Sequence, residues 1–495
     1  MLPRLHLVIF AFLMALSNIP VFTAVQASPA RRPSALTVAN VQVSRDSALA
    51  HSEPAVAINP ANPDNLIAGS KFFSDPANYR FRIGTFYSMD GGRTWHDSGI
   101  IPGFDEYGTT SDISIAFSPN GSIAYAAVLA CNGGVCRGTG NGSGVYVSRS
   151  RDGGATWETP TLVFADPTGA YFSDKPWIAV DGSKGRTRGT VYVAWNLDGN
   201  VAGLPRDPDS GAAIFHTSQA VSGAPGGVVV ARSTDYGSSF SAPVTLTAFD
   251  AQFKHFGLGA TPAVGPDGRV TIVYSGQDEV NKKTVYSLQY VTSKNRGVTF
   301  STPRPAVSQV VPLPDKLPNS TFRNFSLPAF AVSPRDGSMI VAWADMRNGD
   351  ADIYESRSTD QGKSWSAPFR VNHDRLRDGK DQFQPALAVA PNGTFTCSWF
   401  DRRRDPKDHN IDVYIAQSLD DGATFGHNYR VTQHSWDPAI DAPHADGKAS
   451  TTFIGDYQAL AVSNSTVHPL WNDTQNGKSQ EIRTAIVSVQ LLVRR

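Results

Sequence analysis

A short turn motif recurs six times along this 495-residue chain, and it constrains the fold more than any other feature. Its clearest copies, Ser88–Trp95 and Ser150–Trp157, read Ser-x-Asp-x-Gly-x-Thr-Trp; the others begin at Ser233, Ser293, Ser358 and Ser418. Each follows an alternating apolar run, so we expect each to form the turn of a β-hairpin. Glycine supplies a positive φ, the Asp carboxylate accepts hydrogen bonds from turn amides, and the aromatic ring packs between sheets. These Asp turns therefore predict scaffold and not chemistry.

Seven pairs of apolar strands accompany the six Asp turns. The last pair, which starts at Tyr457, is followed by a third strand but by no Asp turn. Asn40–Ser44 resembles the strands that follow the later turns, so it can serve as the fourth strand of the last sheet. The repeats predict an all-β fold, a seven-bladed β-propeller closed by its N-terminal strand. A six-bladed ring is the alternative, and it requires discarding one strand pair, most easily the weak fourth pair, Ala260–Tyr274.

The N-terminus reads as a secretion signal spanning residues 1–27. Arg4 precedes an unbroken apolar run from Leu7 to Leu16, and Val25-Gln-Ala27 is a small-residue cleavage site. The run is short for a membrane span, and a retained anchor is the alternative. Residues 28–35 are then a linker and 36–495 a single propeller domain. We expect this domain to be secreted or periplasmic, and monomeric.

The charge and cysteine content narrow the classes of partner. Lys+Arg and Asp+Glu both number 44, so the net charge is zero and the chain has no basic footprint for nucleic acid. Cys131 and Cys136 can close a small disulfide loop in an oxidising compartment, whereas Cys397 lies in an apolar run and is expected to be a buried thiol. No Cys or His spacing predicts a metal or cofactor, although carboxylates on one face can hold Ca²⁺.

The propeller topology places the candidate site residues on one face. Entries to the first strands and connections after the second strands share the face opposite the Asp turns. Charged and aromatic residues that break the repeat at these entries are Glu53, Asp112, Asp174, Lys175, Trp177, His255, Arg323, Asp456 and Tyr457. The connections add Arg347 and Arg402. Such a surface suits a sugar, especially an anionic one, because arginine binds carboxylates bidentately.

A Trp-x-Asp sequence also recurs in these connections. It occurs at Trp343/Asp345, Trp399/Asp401 and Trp471/Asp473. Recurrence in several blades favours a scaffold role, because a catalytic site needs different residues from different blades. Asp345 with Arg347, and Asp401 with Arg402, are expected to tie loops together, and contact of these carboxylates with substrate is the alternative.

The six Asp turns, their spacing and the secretion context resemble the BNR/Asp-box repeats of the sialidase (neuraminidase) superfamily. The resemblance covers residues 40 to 490 and implies an Asp-box propeller. It implies an active site with three arginines for the substrate carboxylate, a Tyr nucleophile assisted by a Glu, and an Asp acid/base. The family's Arg-Ile-Pro is replaced here by Ser52-Glu53-Pro54, and seven blades depart from the usual six.

Carried over to this sequence, the resemblance implies a glycoside hydrolase of exo-α-sialidase type that acts on an acidic glycan. Arg323, Arg347 and Arg402 would bind the substrate carboxylate, with Lys175, Trp177 and His255 around it. Tyr457 would attack, Asp174 would be the acid/base, and Glu53 or Asp456 would assist Tyr457. Two alternatives remain: a non-catalytic propeller that binds carbohydrate or protein, and a polysaccharide lyase with His255 and a Tyr as base and acid.

Overall fold

The structure is a computed structural model, and it describes residues 38–76, 80–131, 143–166, 171–199, 227–248, 255–441 and 452–489. The predicted signal segment and linker lie outside these residues, as does Cys136. Cys131 is disulfide-bonded, and Cys397 is a buried free thiol.

The described chain forms seven antiparallel sheets, which we call blades 1 to 7. The first strand, β1 (Asn40–Gln42), belongs to the last sheet. Blade 1 contains β2 (Leu49–Asn59), β3 (Asn62–Asp75), β4 (Arg80–Ser88) and β5 (His96–Ile100). Blade 2 contains β6 (Thr109–Phe117), β7 (Ala124–Cys131), β8 (Ser143–Ser150) and β9 (Thr161–Asp166). Blade 3 contains β10 (Tyr171–Val180), β11 (Val191–Gly199), β12 (Gly227–Ser233) and β13 (Val244–Ala248).

The next three blades repeat the same order. Blade 4 contains β14 (His255–Val264), β15 (Val270–Val280), β16 (Lys283–Ser293) and β17 (Arg304–Val310). Blade 5 contains β18 (Ala329–Val332), β19 (Met339–Asp345), β20 (Asp352–Ser358) and β21 (Phe369–Arg370). Blade 6 contains β22 (Gln382–Val389), β23 (Phe395–Asp401), β24 (Asp412–Ser418) and β25 (Tyr429–Arg430).

Blade 7 joins the two ends of the described chain. It contains β26 (Ala459–Val462), β27 (Thr466–Asp473), β28 (Glu481–Ala485) and β29 (Val487–Ser488), which pairs with β27. Its outer strand is β1, which pairs antiparallel with β28, and the Val43 amide donates to the Ile482 carbonyl at 2.7 Å. The first strand of each blade contacts the first strand of the next, and β26 contacts β2. The ring is therefore closed, and the prediction of a seven-bladed propeller is confirmed.

The core lies between neighbouring blades. Every residue of β7, β19 and β23 is buried, because these strands have a sheet packed against each face. Val43 belongs to a cluster with Leu66 of blade 1 and with Leu470 and Ile482 of blade 7, so apolar packing also spans the closure of the ring. The sheets hold each other in place, and the first strands carry their leading residues to the centre.

The Asp turns have the geometry of local scaffold. Asp90 Oδ1 accepts the amides of Arg93 (3.0 Å) and Thr94 (2.9 Å), and its Oδ2 accepts the Thr94 hydroxyl at 2.7 Å. Burial opposes ionisation, but these hydrogen bonds and that from Ser88 lower the pKa of Asp90 to about 2. The turn lies between strands three and four, on the face away from the entries to the first strands.

Candidate active site

Five of the first strands begin with the same irregularity. β2, β6, β10, β14 and β22 each shift register near their start, and each has a residue with a positive φ at the shift: Glu53 (51°), Asp112 (52°), Lys175 (51°), Gly259 (72°) and Gln384 (49°). β2 has a second such residue, Ala50 (52°). A bulge of this kind re-aims a side chain. A left-handed conformation at a non-glycine residue costs about 1–3 kcal/mol and is concentrated at functional sites. The strain therefore singles out Glu53, Asp112, Lys175 and Gln384.

Proline follows three of these residues. Pro54, Pro176 and Pro385 lie next to Glu53, Lys175 and Gln384. Proline has no backbone N–H, so it leaves no unsatisfied donor where the ladder is interrupted.

A chain of alternating charges joins blades 1, 3 and 7 through these strand ends. Lys71 Nζ lies 2.6 Å from Glu53 Oε2, and Lys175 Nζ lies 3.8 Å from Glu53 Oε1. Lys175 also donates to Asp456 Oδ2 at 2.9 Å, and Arg323 Nη2 donates to both Asp456 oxygens at 2.8 and 2.7 Å. Lys71, Glu53, Lys175 and Asp456 are buried, whereas the Arg323 side chain is 21% exposed. We call these five residues the charge network.

The two carboxyls of the charge network have pKa values that are shifted in opposite directions. Burial raises the pKa of Glu53, although Lys71 and Lys175 oppose this. Burial also tends to raise the pKa of Asp456, but the positive charges of Arg323 and Lys175 outweigh burial and hold this pKa below the ordinary range. Burial also opposes the charge of Lys175, yet Asp456 and Glu53 raise its pKa, so this lysine stays protonated.

Asp112 and Asp174 lie beside the network but outside its ion pairs. Asp112 is 5% exposed, Asp174 is half-buried, and neither carboxyl makes a hydrogen bond or ion pair with another described residue. Burial raises the pKa of Asp112; the nearby Lys175 opposes this and Asp174 adds to it. An unpaired buried carboxyl is costly, so Asp112 is held where only a partner from outside the described chain can satisfy it.

Tyr457 completes the cluster. Its ring meets Trp177 edge-on, with centroids 5.1 Å apart, and packs on Leu258 and Leu327. Its hydroxyl is buried and has no hydrogen-bond partner among the described residues. Burial, followed by the Glu53 and Asp112 carboxyls, raises the pKa of Tyr457 well above its usual value, so the phenol is protonated. Two further polar atoms, Ser52 Oγ and Gln384 Oε1, are also buried without a hydrogen-bond partner among the described residues, and both lie near Gly455.

Residues 226–485, more than half of the chain, match the model of the BNR repeat-like domain. The chain belongs to the BNR repeat-like family. No match is found among curated proteins.

Several solved structures are similar to this BNR repeat-like protein at low sequence identity. A protein of unknown function from Dyadobacter fermentans is 16% identical, with TM-score 0.48, covering 92% of this chain and 99% of its own. The Hadza microbial sialidase Hz136 is 14% identical, with TM-score 0.46 and coverages of 86% and 77%. An α-L-arabinanase of Penicillium chrysogenum, complexed with arabinobiose, is 12% identical, with TM-score 0.48 and coverages of 92% and 99%.

Most of the predicted site residues of this BNR repeat-like protein come together. Glu53, Lys175, Arg323 and Asp456 form ion pairs, and Tyr457 contacts Trp177. Asp174 is near enough to influence Asp112, Lys175 and Tyr457 electrostatically. His255 begins β14, and its side chain lies outside what the structure describes.

The predicted cluster of three arginines does not form among the described residues. Arg347 donates to Asp345 from Nε (2.9 Å) and Nη2 (2.6 Å), within blade 5. Arg402 is fully buried, with Nη1 3.4 Å from Asp381 and 3.2 Å from Asp408. Each of these two arginines is bound to its own carboxylates, and within the described residues neither shares a carboxylate with Arg323. Of the three arginines, Arg323 alone contacts the cluster that the described residues form.

The recurring Trp-x-Asp residues are scaffold. Each indole N–H donates to the carboxylate two residues later: Trp343 to Asp345 (2.9 Å), Trp399 to Asp401 (2.8 Å) and Trp471 to Asp473 (2.8 Å). Asp401 is paired with Arg403 at 2.6 Å and not with Arg402, which corrects the predicted loop tie.

Sequence reasoning missed Lys71 in the charge network. It lies in the middle of β3, away from the strand ends where candidates were sought, and its Nζ sits 4.7 Å from the Phe81 and 4.3 Å from the Phe453 ring centroids. The available signal was one lysine within the apolar stretch of that strand.

Within the described ranges, no group of three His, Cys, Asp or Glu side chains has the arrangement to hold a metal ion, so the Ca²⁺ that the sequence allowed has no ligand cluster there. No helix in the described part of the chain is long and apolar enough to cross a membrane.

Proposed function

We propose that this protein is a glycoside hydrolase whose substrate binds where blades 1, 2, 3 and 7 meet. The proposal rests mainly on a difference between two pairs of carboxyl groups. Glu53 and Asp456 are bound by cations, whereas Asp112 and Asp174, on neighbouring blades, have no partner among the described residues. Glycosidases use two carboxyl groups on either side of the scissile bond. The two unpaired groups are the ones available for this work.

The environments suggest different roles for the two carboxyls. Asp112 is buried and its pKa is raised, so it suits the proton donor to the leaving-group oxygen. Asp174 is half-exposed, so it is assigned the complementary role at the anomeric carbon. Hydroxyls of the sugar would bind Tyr457, Ser52 and Gln384, whose buried polar atoms lack partners, and the half-buried Trp177 would stack on a ring.

A second assignment keeps the same reaction but follows the sialidase-type mechanism that the sequence suggested. In it the Tyr457 hydroxyl attacks the anomeric carbon while Glu53 takes its proton. It is favoured by the position of Glu53, which contributes more than any other charged group to the raised pKa of Tyr457. Glu53 itself has a raised pKa, which suits a base near neutral pH. Asp456 is a poor base by comparison, because Arg323 and Lys175 hold it ionised.

The hydrolase proposal is tested with a panel of 4-nitrophenyl glycosides from pH 4 to 8. We expect turnover by the native chain and a loss of about 10²–10⁴-fold in Asp112→Asn and Asp174→Asn, the range of general acid–base catalysis. Glu279→Gln is the matched control, because this exposed carboxylate lies at the end of β15 on the same face. Saturable glycan binding without turnover would instead indicate a binding propeller, and an unsaturated uronate product would indicate a lyase.

The two assignments of the nucleophile are separated by trapping. A 2-fluoro glycoside slows breakdown of a covalent intermediate, and peptide mapping then locates the sugar. A label on Asp174 supports the carboxylate pair, and a label on Tyr457 supports the sialidase-type mechanism. Tyr457→Phe is expected to abolish turnover in the second case and to reduce it about tenfold in the first, the effect of one lost hydrogen bond.

Secretion, expected from the N-terminal segment, remains part of the proposal.

A further inference from the structure

On the face away from the candidate site, the turns of blades 3 and 4 carry an excess of positive charge. Each of these blades presents two turns there, the hairpin between its first and second strands and its Asp turn: 181–190, 232–240, 265–269 and 293–300. These turns contain seven basic residues, which we call the basic patch: Lys184, Arg186, Arg188, Arg232, Arg269, Lys294 and Arg296. They contain only three acidic residues: Asp181, Asp235 and Asp267. Asn295 adds to the excess, because it stands where the other Asp turns have a carboxylate.

Contacts between the four turns make the basic patch continuous. Arg232 Nη1 donates to the Arg296 carbonyl at 2.6 Å, and Arg296 Nη2 donates to the Thr190 hydroxyl at 3.2 Å. A Cβ on Gly268 would lie 2.3 Å from Thr187 Oγ1, so the hairpin of blade 4 lies against the hairpin of blade 3. The positive charges therefore belong to one surface that spans two blades.

Most of these positive charges have no carboxylate partner within the described chain. Of the seven side chains, only that of Arg269 lies at ion-pair distance from a described carboxylate, 3.5 Å from Asp267. Arg188, Arg232 and Arg296 donate to carbonyl or hydroxyl oxygens instead. These neutral acceptors orient the guanidinium groups but leave their charge in place.

The flanking blades pair their arginines with carboxylates on the same face. In blade 2, Arg149 and Arg151 both bind Glu158, at 2.9 and 2.6 Å. In blade 5, Arg335 binds Asp336 at 2.7 Å. The excess of positive charge thus distinguishes blades 3 and 4 from the blades on either side of them.

An aromatic ring is exposed within the basic patch. Tyr236 is 60% exposed, and a Cβ on Gly189 would lie 3.6 Å from its Cε1, so the ring lies beside the hairpin 181–190. Exposed tyrosine rings offer an apolar face to a sugar ring. Val298 is the other large apolar side chain exposed on these turns, and two such side chains are few for insertion into a lipid bilayer.

We propose that the basic patch binds an acidic polysaccharide. Arginine and lysine bind carboxylates and sulfates through charge-assisted hydrogen bonds. The cations are spread over four turns and do not converge on one point, so they suit a polymer with repeated anionic groups better than a single small anion. The patch lies on the face opposite the candidate site, so this inference does not depend on the proposed hydrolase activity, and a bound polymer would leave that site open.

The binding test uses polymers that share a backbone and differ in charge. Calorimetry of the full chain is expected to detect binding of carboxymethyl-dextran and not of unmodified dextran. Raising the salt concentration from about 0.05 to 0.2 M should weaken binding at least about threefold, because salt screens exposed charges. No binding of carboxymethyl-dextran, or equal binding of dextran, overturns the inference. Tighter binding to phosphatidylglycerol vesicles also overturns it, since the patch would then fit a membrane.

Charge reversal tests where the polymer binds. The variant combines Lys184→Glu, Arg186→Glu and Lys294→Glu, three exposed side chains on the turns of blades 3 and 4. We expect it to lose at least about tenfold in affinity for carboxymethyl-dextran, because it replaces attraction by repulsion. Thermal unfolding of the same sample checks that the variant is folded.

The matched control makes the same change in net charge on another part of the ring. It combines Arg45→Glu, Lys407→Glu and Lys478→Glu, exposed residues that follow β1, β23 and β27. Its affinity should stay within about twofold of the native value, because the charges of the patch are intact. A loss as large as that of the patch variant would place the binding elsewhere and overturn the inference.

Tyr236→Ala distinguishes a polysaccharide from other polyanions. We expect a loss of about fivefold in affinity for carboxymethyl-dextran, in the range of one aromatic contact. Binding of polyphosphate, which has no sugar ring, should not change. Val298→Ala is the control and should alter neither affinity. Equal losses for both polymers, or none for either, would overturn the assignment to a polysaccharide.

Discussion

Single residues at the start of the first strands carry the strain of this molecule. Glu53, Asp112, Lys175 and Gln384 all have φ near +50°, a region that L-residues avoid. A glycine at each position would relieve the strain but would remove the side chain. The fold therefore keeps these charged and polar side chains in a conformation that stability alone would not select.

Gly455 shows how closely two of these strand ends approach. Its φ is 92°, and a Cβ there would lie 2.9 Å from the Glu53 amide nitrogen and 3.1 Å from Glu53 Cγ. We expect Gly455→Ala to displace Glu53 and reduce kcat/KM at least tenfold, since misplacing a site by about 1 Å can cost about 10²-fold.

The matched control for Gly455→Ala is Gly477→Ala. Gly477 has a φ of 70°, but a Cβ there would meet nothing within 4 Å. Both variants bear the left-handed penalty of about 1–2 kcal/mol, measurable as a lower free energy of unfolding. Equal activity of the two variants would contradict the proposed close approach.

At the scale of elements, the Asp turns link neighbouring blades. The arginine that precedes the Ser of one turn donates to a backbone carbonyl in the turn of the next blade: Arg149 to Tyr236 (3.3 Å), Arg232 to Arg296 (2.6 Å) and Arg357 to Asp421 (3.5 Å). Each acceptor residue has a positive φ, which turns its carbonyl outward. The turns thus act between blades as well as within them.

Blade 4 offers an experiment on these turns, because Asn295 stands where the other turns have Asp. Asn295 Nδ2 donates to the Thr299 hydroxyl at 2.8 Å, the reverse of the Thr94–Asp90 bond. We expect Asn295→Asp to raise the free energy of unfolding by about 0.5–1 kcal/mol at pH 7, since hydrogen bonds to an ionised acceptor are about twice as strong. Asp235→Asn in the Asp turn of blade 3 is the reciprocal control and should lower the free energy of unfolding.

The pH dependence of this pair has a definite sign. Although burial opposes it, hydrogen bonds from Ser239 and Ser233 lower the folded pKa of Asp235 to about 2. A carboxyl of this kind contributes stability above its unfolded pKa of about 3.9, and that contribution is lost as the pH falls through the folded value. The free energy of unfolding measured at pH 7 and pH 2 should therefore show a much larger effect of Asn295→Asp at pH 7 than at pH 2. An equal effect at both pH values would show that the charge of the new carboxylate does not contribute.

The sequence predicted the elements better than the site for a physical reason. Asp turns and alternating strands are local signals, because they can be recognised from neighbouring residues alone. Gly92 and Gly154, for example, each mark a turn within their own motif. The strand entries with Glu53 and Asp456 followed from the repeat. Pairing is not local: nothing in Asp401-Arg402-Arg403 tells which arginine folds back on the carboxylate, and the burial of Arg402 depends on Asp381 and Asp408.

At the scale of the whole molecule, ring closure and the site depend on each other. Val43 is fully buried between blades 1 and 7, the blades that carry Glu53 and Asp456, and Lys175 of blade 3 contacts both of these carboxylates. We expect Val43→Asp to lower the free energy of unfolding by more than about 3 kcal/mol, because it buries an unpaired charge.

Thermal unfolding and turnover measured on the same samples check this expectation. Activity should be lost together with stability, because the network needs both sides of the seam. Val298→Asp is the control: Val298 is 49% exposed, so the same change should alter neither quantity. An active, stable Val43→Asp protein would show that closure does not support the site.

The closure seam also sets when the site can exist during synthesis. Glu53 leaves the ribosome about four hundred residues before Asp456 and Tyr457, and β28 must follow before β1 has a partner. Blades 1 to 6 can be made while the carboxyls of blades 1, 2 and 3 still lack their counterparts from blade 7. A nascent or prematurely ended chain therefore lacks the site at which we propose that glycans bind, and the site is completed only when the last blade has been synthesised.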